Sequence, residues 1–312
     1  MTTSTPYGGT QWSPRTRALR EEMAEVWGDW GCNSECGRLR AVLLHRPGPE
    51  LEDIADPDAM QMREPVDPAR ARDQHDALAA AYREHGVTVH YLANVRPDKP
   101  NAMFVRDLMA TTPEGAIVAR PASTVRAGEE RYVAEALGRL GVPILLTVHG
   151  RGVFEGADLI WANEDLAFVA QGLRTNDEGA RQVEALLRDL GVPEIVRVQL
   201  PYGSMHLQGV INFPDRRLAA IWPGRTSWAI VEALRRHGFR ILEPPDEHEL
   251  HSMALNFVAL EPGCILMATG NPITRRMYRE AGVECVEVDI SELIRAAGGM
   301  GCLTGILKRE EL

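Results

Sequence analysis

The sequence has no long apolar run, no excess of basic charge and no set of cysteines that suggests a disulfide framework. Its apolar runs fall short of the roughly 18 residues of a membrane span, and residues 1–17 lack the apolar core of a signal peptide. The 34 basic and 44 acidic residues give a net charge of −10, which argues against nucleic-acid binding and is compatible with a small cationic substrate. Five cysteines are an odd number for disulfide pairing. We expect a soluble, cytoplasmic protein that binds neither nucleic acid nor a membrane.

A helix–glycine–strand pattern recurs five times along the chain. In each copy an amphipathic helical stretch runs into a glycine, and an apolar strand follows at once. The five glycines, spaced 55, 50, 47 and 44 residues apart, are Gly86, Gly141, Gly191, Gly238 and Gly282. Each helical stretch follows another predicted strand, at residues 39–45, 115–121, 166–171, 218–223 and 264–270.

Five strand–helix–strand units of about 50 residues predict an α/β fold arranged as a ring or barrel-like array. A doubly wound sheet is the competing fold, but no GxGxxG stands between a strand and a helix. A (β/α)₈ barrel needs about eight units. We predict that residues 1–37 form a helical extension, with Trp27 and Trp30 facing the core, and that residues 38–312 form a single domain.

One cysteine has the sequence context of a nucleophile. Cys302 lies in GGMGCLTG, where three glycines allow close approach of a ligand and expose the thiol, although a lone cysteine is more often a buried small hydrophobe. Cys264 and Cys285 lie in apolar strands and are predicted to belong to the core. Cys32 and Cys36 have no second ligand pair, so we expect no zinc site there.

Four further motifs carry candidate polar residues. His206 in YGSMHLQG can serve as the acid or base that a cysteine nucleophile requires, and Glu155 or Asp158 in GVFEGADLIW can orient it. The alternatives are a solvated histidine and a turn with solvated acids. Asp107 in NAMFVRDL either caps an element or binds a cation. Arg126 in STVRAGEE and Arg174 in GLRTNDEG are either surface charges or bidentate partners of a substrate carboxylate; these two arginines each precede a predicted helix.

The stretch DEHELH, residues 246–251, offers two histidines beside three acids. It lacks the helical i,i+4 histidine pair of a zinc protease motif. We therefore predict an exposed acidic turn there and no metal site.

Taken together and in this order, NAMFVRD, FEGAD, RTN, MHL and GGMGCLTG resemble the guanidino-group-modifying superfamily, or penteins. This superfamily includes arginine deiminases, dimethylarginine dimethylaminohydrolases and arginine amidinotransferases. The similarity covers roughly residues 38–308. It implies a five-fold pseudosymmetric α/β propeller, which agrees with the five units counted above, and it makes residues 38–312 the catalytic domain.

Carried over residue by residue, the resemblance makes Cys302 the nucleophile, His206 the general acid and base, and Glu155 the carboxylate paired with His206. It implies a covalent thiouronium intermediate and no metal or organic cofactor. The resemblance assigns Asp107 to the substrate guanidinium, Arg126 and Arg174 to the carboxylate, and Asn101 to the α-amino end. We also predict that Asp158 and Gln208 belong to the substrate-binding site.

Two departures bear on the substrate. Arginine deiminases and amidinotransferases have Asp two residues after the histidine and tend to have Arg or His before the nucleophile, whereas this chain has Gln208 and Gly301. In both positions this chain is similar to dimethylarginine hydrolases. A site with one carboxylate fewer beside the guanidino group suits an N-substituted substrate. Conversely, Arg106 before Asp107 is similar to arginine deiminases. The Gln208 argument favours N-substituted arginine.

The resemblance predicts a cysteine hydrolase that converts arginine or N-substituted arginine to citrulline plus ammonia or an alkylamine. The alternatives are an amidinotransferase, double hydrolysis of arginine to ornithine, and a ligand- or ribosome-binding propeller without activity. The last is disfavoured because the four catalytic residue types are present. We expect a homodimer and a lid within residues 54–72, which are rich in Pro and Asp.

Overall fold

The structure is a computed structural model that describes residues 3–312. Within this range the chain forms five three-stranded sheets. The strands are β1 Leu39–Leu44, β2 Thr88–Tyr91, β3 Met109–Thr112, β4 Gly115–Val118, β5 Ile144–Thr147, β6 Leu159–Asn163, β7 Leu166–Gln171, β8 Glu194–Gln199, β9 Ile211–Asp215, β10 Leu218–Ile221, β11 Arg240–Leu242, β12 Val258–Glu261, β13 Cys264–Ala268, β14 Glu284–Val288 and β15 Gly305–Arg309.

The helices connect and flank these sheets. They are α1 Leu19–Val26, α2 Pro68–Glu84, α3 Val105–Leu108, α4 Glu130–Leu140, α5 Asp177–Asp189, α6 Trp228–Arg236, α7 Glu247–His251, α8 Pro272–Glu280 and α9 Ser291–Arg295. Short 3₁₀ helices lie at Thr5–Tyr7, Pro49–Leu51, Pro100–Met103, Gly156–Asp158 and Leu207–Gly209. None of the helices in residues 3–312 is both long and apolar enough to cross a membrane.

All five sheets have the same topology. The central strand pairs in parallel with the strand that follows its helix and antiparallel with a third strand. The five connecting helices α2, α4, α5, α6 and α8 are followed by the five predicted glycines, whose φ angles lie between 72° and 89°. The predicted strand–helix–strand units are confirmed. The antiparallel strand of each sheet was not predicted, and β15 supplies it to the first sheet by pairing with β1.

Helix α5 illustrates how each unit is built. The Asn176 side chain caps the helix by accepting a hydrogen bond from Gly179 N at 2.9 Å. Val183 and Leu187, four residues apart, are buried against the third sheet with an apolar cluster that includes Phe154 and Val169. The opposite, polar face of the helix is exposed to solvent.

Residues 31–37 are buried and tie the N-terminal region to the sheets. The amide of Gly31 donates to the Leu307 carbonyl at 3.0 Å, and that of Cys32 donates to the Thr112 carbonyl at 3.1 Å. Trp30 is half-buried against the core, as expected. The prediction for Trp27 was wrong, because its side chain is 42% exposed at the end of α1.

The prediction of an exposed turn at residues 246–251 was also wrong. Residues 247–251 form helix α7, capped by the Asp246 carboxylate, which accepts from Glu249 N at 2.9 Å. Glu249 is buried and accepts hydrogen bonds from the amides of Ile273 and Thr274 at the start of α8. Glu249 therefore caps helix α8. The number of charges in the sequence does not reveal this role.

Candidate active site

Three predicted site residues meet at the ends of short elements. Asp107 lies in α3, while Glu155 and His206 come directly before the 3₁₀ helices Gly156–Asp158 and Leu207–Gly209. His206 Nε2 is 2.7 Å from Glu155 Oε2, and its Nδ1 is 3.7 Å from Asp107 Oδ1. All three side chains are buried. The imidazole therefore has a carboxylate beside each ring nitrogen.

A close approach of backbone segments makes this meeting possible. A Cβ atom at Gly156 would lie 1.9 Å from the Met109 carbonyl oxygen, so only glycine allows the FEGAD segment to pack against the start of β3. This packing brings Glu155 next to α3 and Asp107.

The carboxylates determine the charge of His206. Burial alone disfavours the imidazolium, but the charge of Asp107 and the hydrogen bond to Glu155 outweigh burial and raise the pKa of His206 to about 9. The pKa of Glu155 is lowered, because its pairing with His206 overcomes the cost of burial. At neutral pH the pair is imidazolium and carboxylate, which is the state that can donate a proton.

Both predicted carboxylate-binding arginines lie in the same cluster. Arg126 Nη1 is 2.6 Å from Asp107 Oδ2 and 3.6 Å from Glu155 Oε2, and its Nε donates to Glu129 Oε2 at 2.9 Å. Arg174 Nη1 is 3.3 Å from Glu155 Oε1. The two guanidinium groups are almost fully buried and neutralise the acids around His206.

Cys302 is held by an asparagine that the sequence analysis missed. Asn256 Nδ2 donates to Cys302 Sγ at 3.1 Å, and the Cys302 amide donates to Asn256 Oδ1 at 3.2 Å. Burial, together with the charge of Asp107, raises the pKa of Cys302 to about 11. Its thiol is thus protonated at neutral pH. The only sequence signal for Asn256 is a polar residue within the apolar run ALNFVAL.

Gln208 and Gly301, the two departures noted in the sequence, are neighbours. A Cβ atom at Gly301 would lie 2.4 Å from Gln208 Nε2, so a side chain before Cys302 is incompatible with the present position of this glutamine. In contrast, Arg106 is turned away and donates to Glu35 Oε1 at 2.8 Å and to the Leu159 carbonyl at 3.0 Å. The feature that resembled arginine deiminases therefore lies outside this cluster.

Two other predicted residues support the surrounding loops. Asp158 accepts from the Leu207 amide at 3.0 Å and from Thr175 Oγ1 at 2.6 Å, which fixes the backbone next to His206. Burial raises the pKa of Asp158 to about 6. The Asn101 side chain donates to the Met60 carbonyl at 2.8 Å.

Two cavities adjoin Cys302. The smaller, of about 20 Å³, is lined by Gln61, Asn101, Phe104, Asp107, Arg126, Arg174, Met205, Ala296, Ala297, Gly298 and Cys302. The larger, of about 140 Å³, also borders His206, Asn256 and Arg63. The segment predicted as a lid therefore contributes Gln61 and Arg63 to their walls. Its last residues, 68–72, instead belong to helix α2.

Asp107, Glu155 and His206 also place potential metal ligand atoms within 4.8 Å of one another. The Arg126 guanidinium lies against both carboxylates. The imidazolium of His206 adds a second positive charge there. The charges of the two carboxylates are therefore already neutralised by the side chains of Arg126 and His206. Planar carboxylates suit a guanidinium better than a metal ion.

Comparison with known proteins agrees with this geometry. A family model described as eukaryotic N,N dimethylarginine dimethylhydrolase matches residues 56–307. The chain belongs to this family. It is 30% identical over 269 residues to the N(G),N(G)-dimethylarginine dimethylaminohydrolase of Streptomyces coelicolor, covering 85% of this chain and 96% of the relative. The corresponding enzyme of Pseudomonas aeruginosa is 28% identical over 242 residues, covering 76% of this chain and 89% of the relative.

A solved structure supports the same assignment. The crystal structure of a dimethylarginine dimethylaminohydrolase adduct with 4-chloro-2-hydroxymethylpyridine superposes with a TM-score of 0.72 at 25% identity, covering 86% of this chain and all of that one. The family lies in the pentein superfamily, as the sequence predicted. The chain is thus a hydrolase that acts on the C–N bonds of linear amidines, and its substrate is a small guanidino compound.

Proposed function

We propose that the protein hydrolyses the guanidino group of an N-substituted arginine, giving citrulline and an alkylamine through a covalent thiouronium on Cys302. The observation that carries this proposal is the position of the His206 side chain, which lies 2.7 Å from Glu155 and borders the same cavity as the Cys302 thiol. The cluster thus combines a nucleophile, a proton donor and an acid that can bind the cationic substrate.

In this proposal Asp107 binds the substrate guanidinium, while Arg126 and Arg174 hold the α-carboxylate and Asn101 lies at the α-amino end. Support comes from their shared position in the smaller cavity. In the empty protein Arg126 already pairs with Asp107. An incoming zwitterion with a guanidinium and a carboxylate can exchange with that pair without leaving a buried charge unpaired.

The first step needs the thiolate of Cys302. A bound guanidinium stabilises the thiolate, and the proton leaves to solvent. The thiolate attacks the central guanidino carbon and forms a C–S bond. His206 then gives its proton to the substituted nitrogen, the C–N bond breaks, and the neutral amine leaves a thiouronium cation and a neutral imidazole.

The second step uses water. The neutral His206 takes a proton from a water molecule, and the resulting hydroxide adds to the thiouronium carbon. The adduct collapses as its C–S bond breaks, and its hydroxyl proton passes to the sulfur. Citrulline leaves, and both the Cys302 thiol and the imidazolium are restored.

N-substituted arginine is preferred over arginine for two reasons. Gln208 stands where a second acid would bind the other guanidino nitrogen, and Arg106 is bound to Glu35 away from the cavities. The matching family is moreover described as a dimethylarginine hydrolase.

We also propose that the five sheets surround one axis as a closed propeller. The pairing of β15 with β1 supports this arrangement, because it joins the end of the repeat to its beginning. Without β15, β1 would be an edge strand of the first sheet.

The test is product analysis by mass spectrometry with arginine, monomethylarginine and dimethylarginine, each with and without glycine or lysine as an amine acceptor. We expect citrulline without an acceptor and its loss in Cys302→Ala. The matched control is Cys264→Ala, which removes a buried thiol from β13 and should retain activity. Ornithine formed only with an acceptor would instead establish an amidinotransferase, and ornithine without one would establish double hydrolysis.

A further inference from the structure

The larger cavity beside Cys302 has much more room than the cavity on the other side of the thiol. Its volume of about 140 Å³ compares with about 20 Å³ for the cavity that contains the arginines. A space of about 150 Å³ holds a benzene ring. The protein therefore has room next to its thiol for a group much larger than a methyl.

The walls of this cavity are mainly apolar. Val210, Leu250, Met253 and Leu255 line it together with the indole of Trp222. Among the described residues that line it, none carries a carboxylate. Such walls favour an apolar substituent and offer a cationic group no partner.

Two arginines border the cavity and strengthen this selectivity. The Arg225 guanidinium lies 4.1 Å from the Trp222 ring centroid and donates to the Gly203 carbonyl at 2.6 Å. Arg63 donates to the His251 carbonyl at 3.3 Å. Their positive charge repels a cationic group.

The position of His206 indicates which part of the substrate enters here. His206 borders the larger cavity, whereas Asp107, Arg126 and Arg174 border the smaller one. Met205, Ala297 and Cys302 lie between the two cavities and line both. With the guanidinium and the α-carboxylate of the substrate bound on the side of the smaller cavity, the larger cavity is the space beside His206 that a substituent on the departing nitrogen can enter.

We infer that the larger cavity is a binding subsite for the substituent of the departing nitrogen, and that the preferred substrates are arginines with a ring-sized apolar group on that nitrogen. This inference rests on the proposed function and specifies its substrate class. Burial of such a group against the indole and aliphatic walls favours these substrates by at least about tenfold over a methyl group.

The first measurement compares kcat/KM for citrulline release from arginine, Nω-methylarginine and Nω-benzylarginine. We expect the benzyl compound to exceed the methyl compound by tenfold or more, with benzylamine released in equal amount to citrulline.

The second measurement fills the cavity. Gly209 borders it, and a Cβ atom there meets nothing within 4 Å, so Gly209→Leu adds a side chain at the cavity wall from a position with room for its Cβ. The matched control is Gly224→Leu, an exposed position that is equally open and does not border the cavity. We expect the benzyl-to-methyl ratio of kcat/KM to fall at least tenfold in Gly209→Leu and to stay at the wild-type value in the control.

The outcomes separate the two proposals. Citrulline from arginine or methylarginine with no preference for benzyl, or an unchanged ratio in Gly209→Leu, overturns the subsite and leaves the proposed function standing. No citrulline from any of the three compounds overturns both.

Discussion

His206 is the proposed proton donor of the site, and its side chain contacts two buried carboxylates. Each ring nitrogen faces a carboxylate, so the imidazolium is stabilised by Glu155 on one side and by Asp107 on the other. In the proposed mechanism, Glu155 stays paired with Nε2, and binding of the substrate guanidinium to Asp107 leaves the Nδ1 proton available for the departing nitrogen.

This arrangement predicts a pH-dependent stability. The folded-state pKa of His206, about 9, lies above the unfolded value of about 6.5. Its ion pairs therefore stabilise the fold fully below about pH 6.5, and this contribution is lost as the pH rises through 9. The loss is about 3 kcal/mol of unfolding free energy. Urea unfolding between pH 6.5 and 9 should show this decline in the wild type and a flatter profile in His206→Gln; parallel profiles would contradict it.

Asn256 is predicted to set the reactivity of the thiol. Its amide donates to Cys302 Sγ and so stabilises the thiolate. In Asn256→Ala we expect the pH midpoint for iodoacetamide alkylation of Cys302 to rise, and kcat to fall by about tenfold to 100-fold, since one charge-assisted hydrogen bond is lost. Intact circular dichroism serves as the folding control. An unchanged alkylation midpoint would show that Asn256 is only structural.

At the scale of the elements, the sequence predicted the repeating units because glycine and hydrophobic periodicity are local signals. Each predicted glycine follows its helix with a positive φ. The third strand of each sheet escaped prediction, since no helix and glycine precede β3, β9 or β12 and these strands depend on antiparallel partners. Asn256 was missed for the same reason: its role depends on a contact 46 residues away.

Helix capping provides a test at this scale. Asn176 caps α5 and also accepts from the Val153 amide at 3.0 Å. Asn176→Ala should therefore lower the unfolding free energy by about 1–2 kcal/mol. Ser227 precedes α6 without making a side-chain capping bond, so Ser227→Ala is the matched control and should change stability little. Equal losses in the two variants in urea titrations would contradict a capping role.

At the scale of the whole molecule, one buried side chain links distant parts of the chain. Arg309 Nη1 in β15 donates to the Gly37 carbonyl at 2.6 Å and to the Ala259 carbonyl at 2.7 Å. The bonds join the N-terminal region, the first sheet and the fifth. The domain boundary at residue 37, the homodimer and the cytoplasmic location stay predictions.

Loss of this link should destabilise the fold as a unit. Arg309→Met leaves two buried carbonyls without this donor, and we expect a loss of about 2–4 kcal/mol in a single cooperative transition. The control is Lys308→Met, which removes a surface pair with Asp29 and should change stability by less than about 1 kcal/mol. Thermal and urea unfolding measure both. A loss in Arg309→Met no larger than in the control would be inconsistent with the link.

The pairing of β15 with β1 also has a consequence for synthesis on the ribosome. Cys302 is translated after Asp107, Glu155 and His206, and directly before the strand that completes the first sheet. During most of translation β1 therefore has no antiparallel partner. The nascent chain then contains Asp107, Glu155 and His206 but not Cys302. If Cys302 is the nucleophile as proposed, the site becomes reactive only after all five repeats have been made.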